Sequence, residues 1–417
     1  IGYVIDVYRD TIEAEKNFAK ILLFTVYFPT LTQGPINRYG DIKGQLFAEH
    51  GFSYKNMTFG LKRILWGFFK KLVLAERLAV LVDTTYAGLA AGTYGGAVSL
   101  IAMAGFLLQL YFDFSGCIDI VIGASEMFGI VLPENFSHPF ASTSVAEFWR
   151  RWHVTLGSWL KDYVLFGFTM SGLSKKMSKG LKAKFGRKAA TTIISVIGVI
   201  LVWAVNGPWH GIEPNFLWLA GFFALILVIG AALEPVTKKF NKANARLVSS
   251  GGYKFFRAVV TFILVMWGAF FVKGDAFMAA GRLFAANVSP IIIQGSEDLM
   301  ILGLDIYDFS VLAAGIILWI VVARVSAGAE KKFEEQTKAA AKAAAGNALA
   351  ADTSGSSAGN VPAGAALTPA RRDFRDLMMN WPIVLRWLCL IIMVVAVVLF
   401  GMYGDGFEGG SFIYQGF

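Results

Sequence analysis

Long apolar runs separated by short polar and basic ones organise this chain. Ala97–Phe114, Ala190–Val205, Phe216–Ala232, Phe256–Val272, Phe309–Val325 and Ile383–Met402 are each apolar over close to the length that carries a helix across a bilayer. Ser115-Gly116 follows the first, and a second apolar run, Ile118–Leu132, follows that, so the pattern predicts two segments there. Phe18–Leu31 is too short to span; it reads as the end of a span or as a re-entrant piece. Leu61–Val82 alternates apolar residues with Lys62, Arg63, Lys70, Lys71, Glu76 and Arg77, which predicts an amphipathic helix near the interface with its cations snorkelling to water. Between Thr143 and Phe168, Phe148, Trp152, Leu156, Trp159 and Tyr163 recur at helical spacing and predict one helix face. Arg150, Arg151, Lys161 and Asp162 interrupt that run, and Glu147 stands where Arg150 or Arg151 meets it one turn on.

The polar connections carry topology. Ser171–Lys188 holds seven Lys/Arg and no acid, and Lys238–Arg257 holds six, again without an acid. The two flank a pair of spans, so both are expected on the cytoplasmic side, with the intervening NGPWHGIEPN toward the opposite face or dipping in from it. Glycine, proline and asparagine predict a helix break in that stretch. Irregular backbone at membrane depth survives only where protein buries it or it lines a wet cavity, which is where His210 is expected. Residues 327–380 are the one low-complexity insertion. AEKKFEEQTKAAAKAAAG suits a solvated helix, and the following ADTSGSSAGNVPAGAAL suits a disordered linker within a single domain covering residues 1–417. The chain opens at Ile1 with no basic, apolar and cleavage-site pattern behind it, and is read as a fragment that has lost its N-terminus.

Composition sharpens this picture. With 56% hydrophobic and only 16% charged residues, the chain reads as an all-α integral membrane protein. Mean hydropathy of +0.58 agrees. The net charge of +9 sits in the short basic runs, so it reports membrane orientation and argues against a nucleic-acid partner. Cys117 and Cys389 both fall in apolar runs, which leaves no disulfide framework or metal-binding pair.

Candidate chemistry is sparse. Of four histidines, His153 and His210 each follow a tryptophan, in EFWRRWH and PWHG. His50 lies in a polar loop and His138 precedes Pro139, neither with ligand-like spacing, so no metal site is expected. The patterns HExxH, GxSxG and GxxxxGK[ST] are absent, which leaves metalloprotease, serine-hydrolase and ATPase readings without a motif. His210 has the position expected of a base that takes a proton from an attacking hydroxyl. His153 suits either that chemistry or simple packing with one hydrogen bond. Trp203, Trp209 and Trp218 suit a cavity wall or an aromatic belt. Asp113, Asp119 and Glu126 lie within apolar surroundings, and ionisable groups there also mark ion or proton paths, so a small-anion or envelope-precursor transporter is the competing class.

At these residues the chain resembles a known family. LPENFSHPF, then EFWRRWHVTLGSWLKDYVLFGF, then an apolar segment ending PWHG resemble the membrane-bound O-acyltransferases, in particular the bacterial branch of alginate O-acetyltransferases and teichoic-acid D-alanyl transferases. YVIDVYRD, FPTLTQGPINRY, LYFDFSGCIDIVIG and the closing FIYQGF match as well, whereas VLFGFTMSGLSKKMSKG after Tyr163 departs from the acetylating branch. The resemblance implies a multi-span tilted helical bundle with interfacial and re-entrant helices around a tunnel. It implies His210 as base or proton shuttle and His153 as a hydrogen-bonding residue that orients the acyl carbonyl or the acceptor, with Trp152, Trp209, Asn206, Trp149 and Arg150 along the tunnel. A short acyl group, acetyl before D-alanyl, is expected to pass from acetyl-CoA or an acyl carrier protein thioester on the cytoplasmic side. Its destination is an envelope polysaccharide or an exported acyltransferase partner on the outer side of a bacterial plasma membrane. No bound cofactor is expected.

Overall fold

The computed structural model describes residues 1–91, 96–273, 300–352, 375, 378 and 381–403, and those residues are helical and irregular, with one isolated bridge as their only β pairing. Six of their helices are long and apolar enough to cross a membrane, which makes this a multi-pass membrane protein. The linker expected from Ala351 lies almost wholly outside the described residues, as does FIYQGF.

Short helices α1 (Gly2–Tyr8), α2 (Phe18–Thr25) and α3 (Tyr39–Leu46) precede the bundle, so the Phe18 run does not span. α4 (Tyr54–Phe68) continues through a π-helical turn at Phe69–Ala75 into α5 (Glu76–Ala90). α6 (Gly96–Met127) is the central helix; 78% of its most apolar window is buried, against 6% for α16 (Ile383–Phe400) at the periphery. α6 is one helix, not the two segments expected. Ser115-Gly116 does not break it, because small residues there let α4 come close. A methyl added at Gly67 would stand 2.6 Å from the Gly116 carbonyl oxygen, and one at Gly60 would stand 2.3 Å from that of Gly123. The four glycines form a seam along which the two backbones nearly touch.

That seam explains a second correction. The cations of Leu61–Val82 do not snorkel; they are buried, with Arg63, Lys70 and Lys71 paired to carboxylates on or beside α6 and Arg77 paired to Asp308 at 3.1 Å. Lys71 Nζ lies 2.5 Å from Asp113 and 2.7 Å from Glu76. Lys70 Nζ lies 2.7 Å from Asp119, and Arg63 reaches Asp119, Glu126 and Glu134 at 3.1, 3.4 and 2.6 Å. Arg375 closes on Glu126 as well. The wide π turn lets two consecutive lysines both reach α6.

α7 (Val145–Trp149), α8 (Val154–Trp159), a π-helical turn at Leu160–Leu165 and α9 (Phe166–Met170) replace the single helix expected over Thr143–Phe168. Phe148, Trp152, Leu156 and Tyr163 are nevertheless buried. Glu147 pairs with Arg151 at 2.7 Å. α10 (Gly172–His210) comprises two helical segments meeting at Gly186, whose φ of 79° breaks the run; the basic stretch before it is helix rather than loop. The helix runs on through Asn206, Gly207 and Pro208 and stops at His210, later than the turn residues imply, with Gly211 ending it. Pro208 is tolerated because glycine and asparagine around it let α11 (Pro214–Ala232) pack close: a methyl on Gly207 would meet Ala220 Cβ at 2.8 Å. The short α12 (Glu234–Ala243) and α13 (Ala245–Ser249) carry exposed basic residues and lead into α14 (Gly251–Phe270). α15 (Ile306–Asp352) extends well past its apolar span, taking AEKKFEEQTKAAAKAAAG with it as helix.

Candidate active site

Two motifs far apart in character are one structure. Asn135–Ser137 lies antiparallel to Arg151–Val154: Val154 N donates to Asn135 O at 3.0 Å and Ser137 N donates to Arg151 O at 2.9 Å. This lacing holds His153 at the break between α7 and α8, with φ of 47° and ψ of 51°, a left-handed conformation uncommon outside glycine. His153 is therefore not one turn along a continuous amphipathic helix. It is the hinge residue where helix direction changes, 6% exposed, outside the six spans.

The Asn135 side chain fixes the His153 ring. Asn135 Oδ1 accepts from Thr155 N at 3.2 Å and from Thr155 Oγ1 at 2.9 Å. A backbone N–H only donates, so the amide oxygen must face that way; a flipped amide would set donor against donor. His153 Nδ1, 3.1 Å from the same oxygen, must then carry the proton. Burial, with His210 close by, pushes the His153 pKa down to about 3, so the ring is neutral at pH 7. A neutral imidazole protonated at Nδ1 presents the Nε2 lone pair, an acceptor and not a donor. Phe114 and Trp209 stand edge-on to the ring at 4.9 and 5.9 Å.

His210 ends α10 and lies parallel to Phe216 at 6.2 Å, with the Trp209 indole edge-on at 4.8 Å. Both imidazoles line two cavities at once, each of about 470 Å³. The first runs beside α10 from Val199 to His210, a length of about 16 Å at the helical rise. Its wall is apolar, built from Trp152, Trp149, Trp203, Phe223 and their neighbours, with exposed Arg150 and Lys161 also on its lining. Trp149 packs edge-on to Trp203 and Phe223 at 4.9 and 4.8 Å, and Asn206 is buried beside them. The second cavity is walled by Phe24–Thr25 and the Thr30–Asn37 loop together with Phe114 and Trp209. Among the described residues, no group of three or more His, Cys, Asp or Glu is placed to hold a metal ion.

The structure thus brings together the residues expected along the tunnel: His153, His210, Trp149, Arg150, Trp152 and Asn206 on the first cavity, and both histidines with Trp209 on the second; Trp218 lines neither and is exposed. Sequence reasoning missed Asn135. Asn135 was within reach, since it stands in the quoted PENF motif. Asp113, Asp119 and Glu126 belong elsewhere: each is ion-paired on the far side of α6, in the α4 seam.

The two histidines thus stand where an apolar cavity meets one whose lining also carries threonines and amides. Residues 13–267 match the model of MBOAT, the membrane-bound O-acyltransferase family, and the chain belongs to that family. It is 32% identical over 289 residues to a probable alginate O-acetylase of Pseudomonas syringae pv. tomato, covering 69% of this chain and 50% of that protein. A probable alginate O-acetylase of Pseudomonas aeruginosa is 30% identical over 372 residues, 89% of this chain and 64% of that protein. The teichoic acid D-alanyltransferase of Bacillus subtilis is 30% identical over 263 residues, 62% of each. The chain spans about half to two thirds of the length of these curated relatives.

Proposed function

We propose that this chain is the catalytic part of an O-acyltransferase of the bacterial plasma membrane, moving an acetyl group from a thioester donor to hydroxyls of an envelope polysaccharide, directly or through an exported partner. The observation that carries the reading is the pair of imidazoles forming the wall common to two cavities. The apolar cavity suits an acyl thioester, and Arg150 and Lys161 on its lining suit the anionic end of acetyl-CoA or of an acyl carrier protein's arm. The acceptor enters from the other cavity. His210 takes the hydroxyl proton as the oxygen attacks the thioester carbon; the tetrahedral intermediate then expels the thiolate, which receives the proton from His210. The acyl ester and a free thiol result, and no proton is left over. The tautomer decides what His153 can orient: its Nε2 only accepts, so it does not donate to the acyl carbonyl and instead accepts from a neighbouring hydroxyl of the acceptor, leaving the proton of the attacking hydroxyl to His210.

The acetyl reading rests on the larger part of this chain that matches the Pseudomonas relatives; D-alanyl transfer from a carrier protein to teichoic acid is the alternative that the Bacillus relative supports. General acid–base help is worth about 10²–10⁴-fold in rate. His210→Ala at normal membrane level is therefore expected to lose all but about a hundredth of transfer or less. His153→Ala is expected to lose less, with His153→Asn intermediate. Release of O-linked acyl from the envelope measures the rates, and the mass of the released acid separates acetate from alanine. Retention of more than about a tenth of wild-type transfer in His210→Ala, well short of the general-base effect, contradicts the role given to that residue.

A further inference from the structure

Two amphipathic stretches away from the histidines carry the chain's excess of positive charge. Without the basic residues of Ser171–Lys188 and Lys238–Arg257, the net charge of +9 would be negative. The first stretch is the opening half of α10, residues 172–185, set off from the apolar span by the φ of 79° at Gly186. Leu173, Met177, Leu181 and Phe185 recur there every fourth residue and share one helix face, while Lys175, Lys179 and Lys182 stand on the opposite face. The second stretch is α12 with α13. Leu233, Val236 and Phe240 form its apolar stripe, and Lys238, Lys239, Lys242 and Arg246 stand off that stripe. The lysines and Arg246 are exposed. So are Leu173 and Phe185 on the first stretch and Val236 and Phe240 on the second, each between 44% and 64%. A surface helix normally turns its apolar stripe to the core; these turn theirs outward.

Both stretches meet the same surroundings. Gly211 to Glu213 alone join α10 to α11, so residues 172–185 and α12–α13 lie on one side of the molecule. Residues 172–185 lead into the span of α10, and α12–α13 is strung between the spans of α11 and α14, so each begins or ends at headgroup depth. An acidic soluble protein docked on one lysine face leaves the apolar stripes in water and serves one stretch at a time. A charged leaflet covers stripe and lysines together, and being a plane it covers both stretches. We propose that residues 172–185 and α12–α13 form a two-part binding surface for anionic phospholipid, lying flat on the leaflet. The stripes sink to the boundary between headgroups and acyl chains, and the surface potential of the headgroups holds the lysines. The glycine at 186 lets the first helix leave the direction of the span and take that attitude. None of these residues lines either cavity at the histidines, so the surface is independent of the acyl-transfer chemistry.

The test uses the full chain, with Cys117 and Cys389 replaced, in nanodiscs of phosphatidylglycerol or of phosphatidylcholine. Each nanodisc includes a lipid bearing a nitroxide near the top of an acyl chain, which quenches an NBD label on a single cysteine. Leu173→Cys and Val236→Cys sample the two stripes, and Ala183→Cys samples the polar face of the first helix. Expected in phosphatidylglycerol is strong quenching at residues 173 and 236 and little at 183. In phosphatidylcholine, quenching at 173 and 236 is expected to fall about fivefold or more, the worth of a single basic residue at an anionic surface. Replacing Lys175, Lys176, Lys179 and Lys182 together by Gln is expected to bring residue 173 in phosphatidylglycerol down to its phosphatidylcholine level. Because those four side chains are exposed, the thermal midpoint should not move, which separates loss of lipid contact from loss of fold. Equal quenching in the two lipids, equal quenching at all three sites, no quenching at 173 and 236, or undiminished quenching in the Gln variant each overturns the proposal. An acidic acyl carrier protein added in excess is expected to leave the quenching unchanged. Release of residues 173 and 236 from lipid by that protein would assign these faces to a protein partner instead.

Discussion

Asn135 is the residue on which the candidate site turns, since one amide oxygen takes three hydrogen bonds and sets both the tautomer of His153 and the position of Thr155. Asn135→Leu removes all three acceptor contacts at nearly constant volume, and transfer is expected to fall on the order of 10²-fold, the loss associated with a misplaced reacting group. Asn135→Asp keeps an oxygen in place and should retain far more activity, but with a changed pH profile. A carboxylate beside Nδ1 favours the charged imidazole and raises the His153 pKa. His153 acts as acceptor only when neutral, so the acid limb of the activity profile should move to higher pH in this variant. Rates of acyl transfer against pH, at matched protein level, check both outcomes. The histidines and tryptophans of the site were legible because rare polar residues in apolar sequence stand out. Asn135 was not, since an asparagine in loop sequence looks like an ordinary turn former until the fold shows what surrounds it.

Among elements, the antiparallel pair α4–α6 shows where periodicity misleads. Alternating cations and apolar residues read as an interfacial helix, because sequence alone does not reveal that Asp113, Asp119, Glu126 and Glu134 wait across the contact. The signal that was available is the repeat itself: Gly60 and Gly67 on one helix, Gly116 and Gly123 on the other, each pair seven residues apart and matched in reverse order. Gly67→Ala forces a methyl toward a backbone carbonyl that has nowhere to go, and is expected to cost about 1–3 kcal/mol. Asp119→Asn leaves Lys70, 4% exposed, without its counter-charge and is expected to cost more, about 3–5 kcal/mol. The double variant Lys70→Met with Asp119→Leu should recover much of that loss, because removing both charges removes the burial penalty as well. Thermal unfolding in detergent ranks the variants. It also separates the classes considered from sequence: a transport pathway through Asp119 predicts loss of function at unchanged stability in Asp119→Asn, whereas a structural ion pair predicts loss of stability first.

At the scale of the molecule, orientation decides whether donor and acceptor meet the correct cavities. Only three residues, Gly211 to Glu213, join α10 to α11, so the two helices must run in opposite directions. The basic stretches before α10's span and after α11 therefore share one side, and the His210 end lies at the other. By the positive-inside bias, the basic side is expected to be cytoplasmic. On that orientation the apolar cavity, running back along α10 from His210 past Trp203 to Val199, is expected to extend toward the cytoplasm, the side from which the proposed thioester donor would come. Single cysteines test this in a background where Cys117 and Cys389 are replaced. Gly180→Cys, exposed in the first half of α10, should resist a membrane-impermeant maleimide in intact cells and react after lysis. Ile212→Cys, 84% exposed at the α10–α11 link, should label in intact cells. Labelling at residue 180 with protection at residue 212 would invert the molecule and put the apolar cavity toward the outside, where no thioester donor is made. Labelling of both in intact cells would mean that α10 does not cross the membrane.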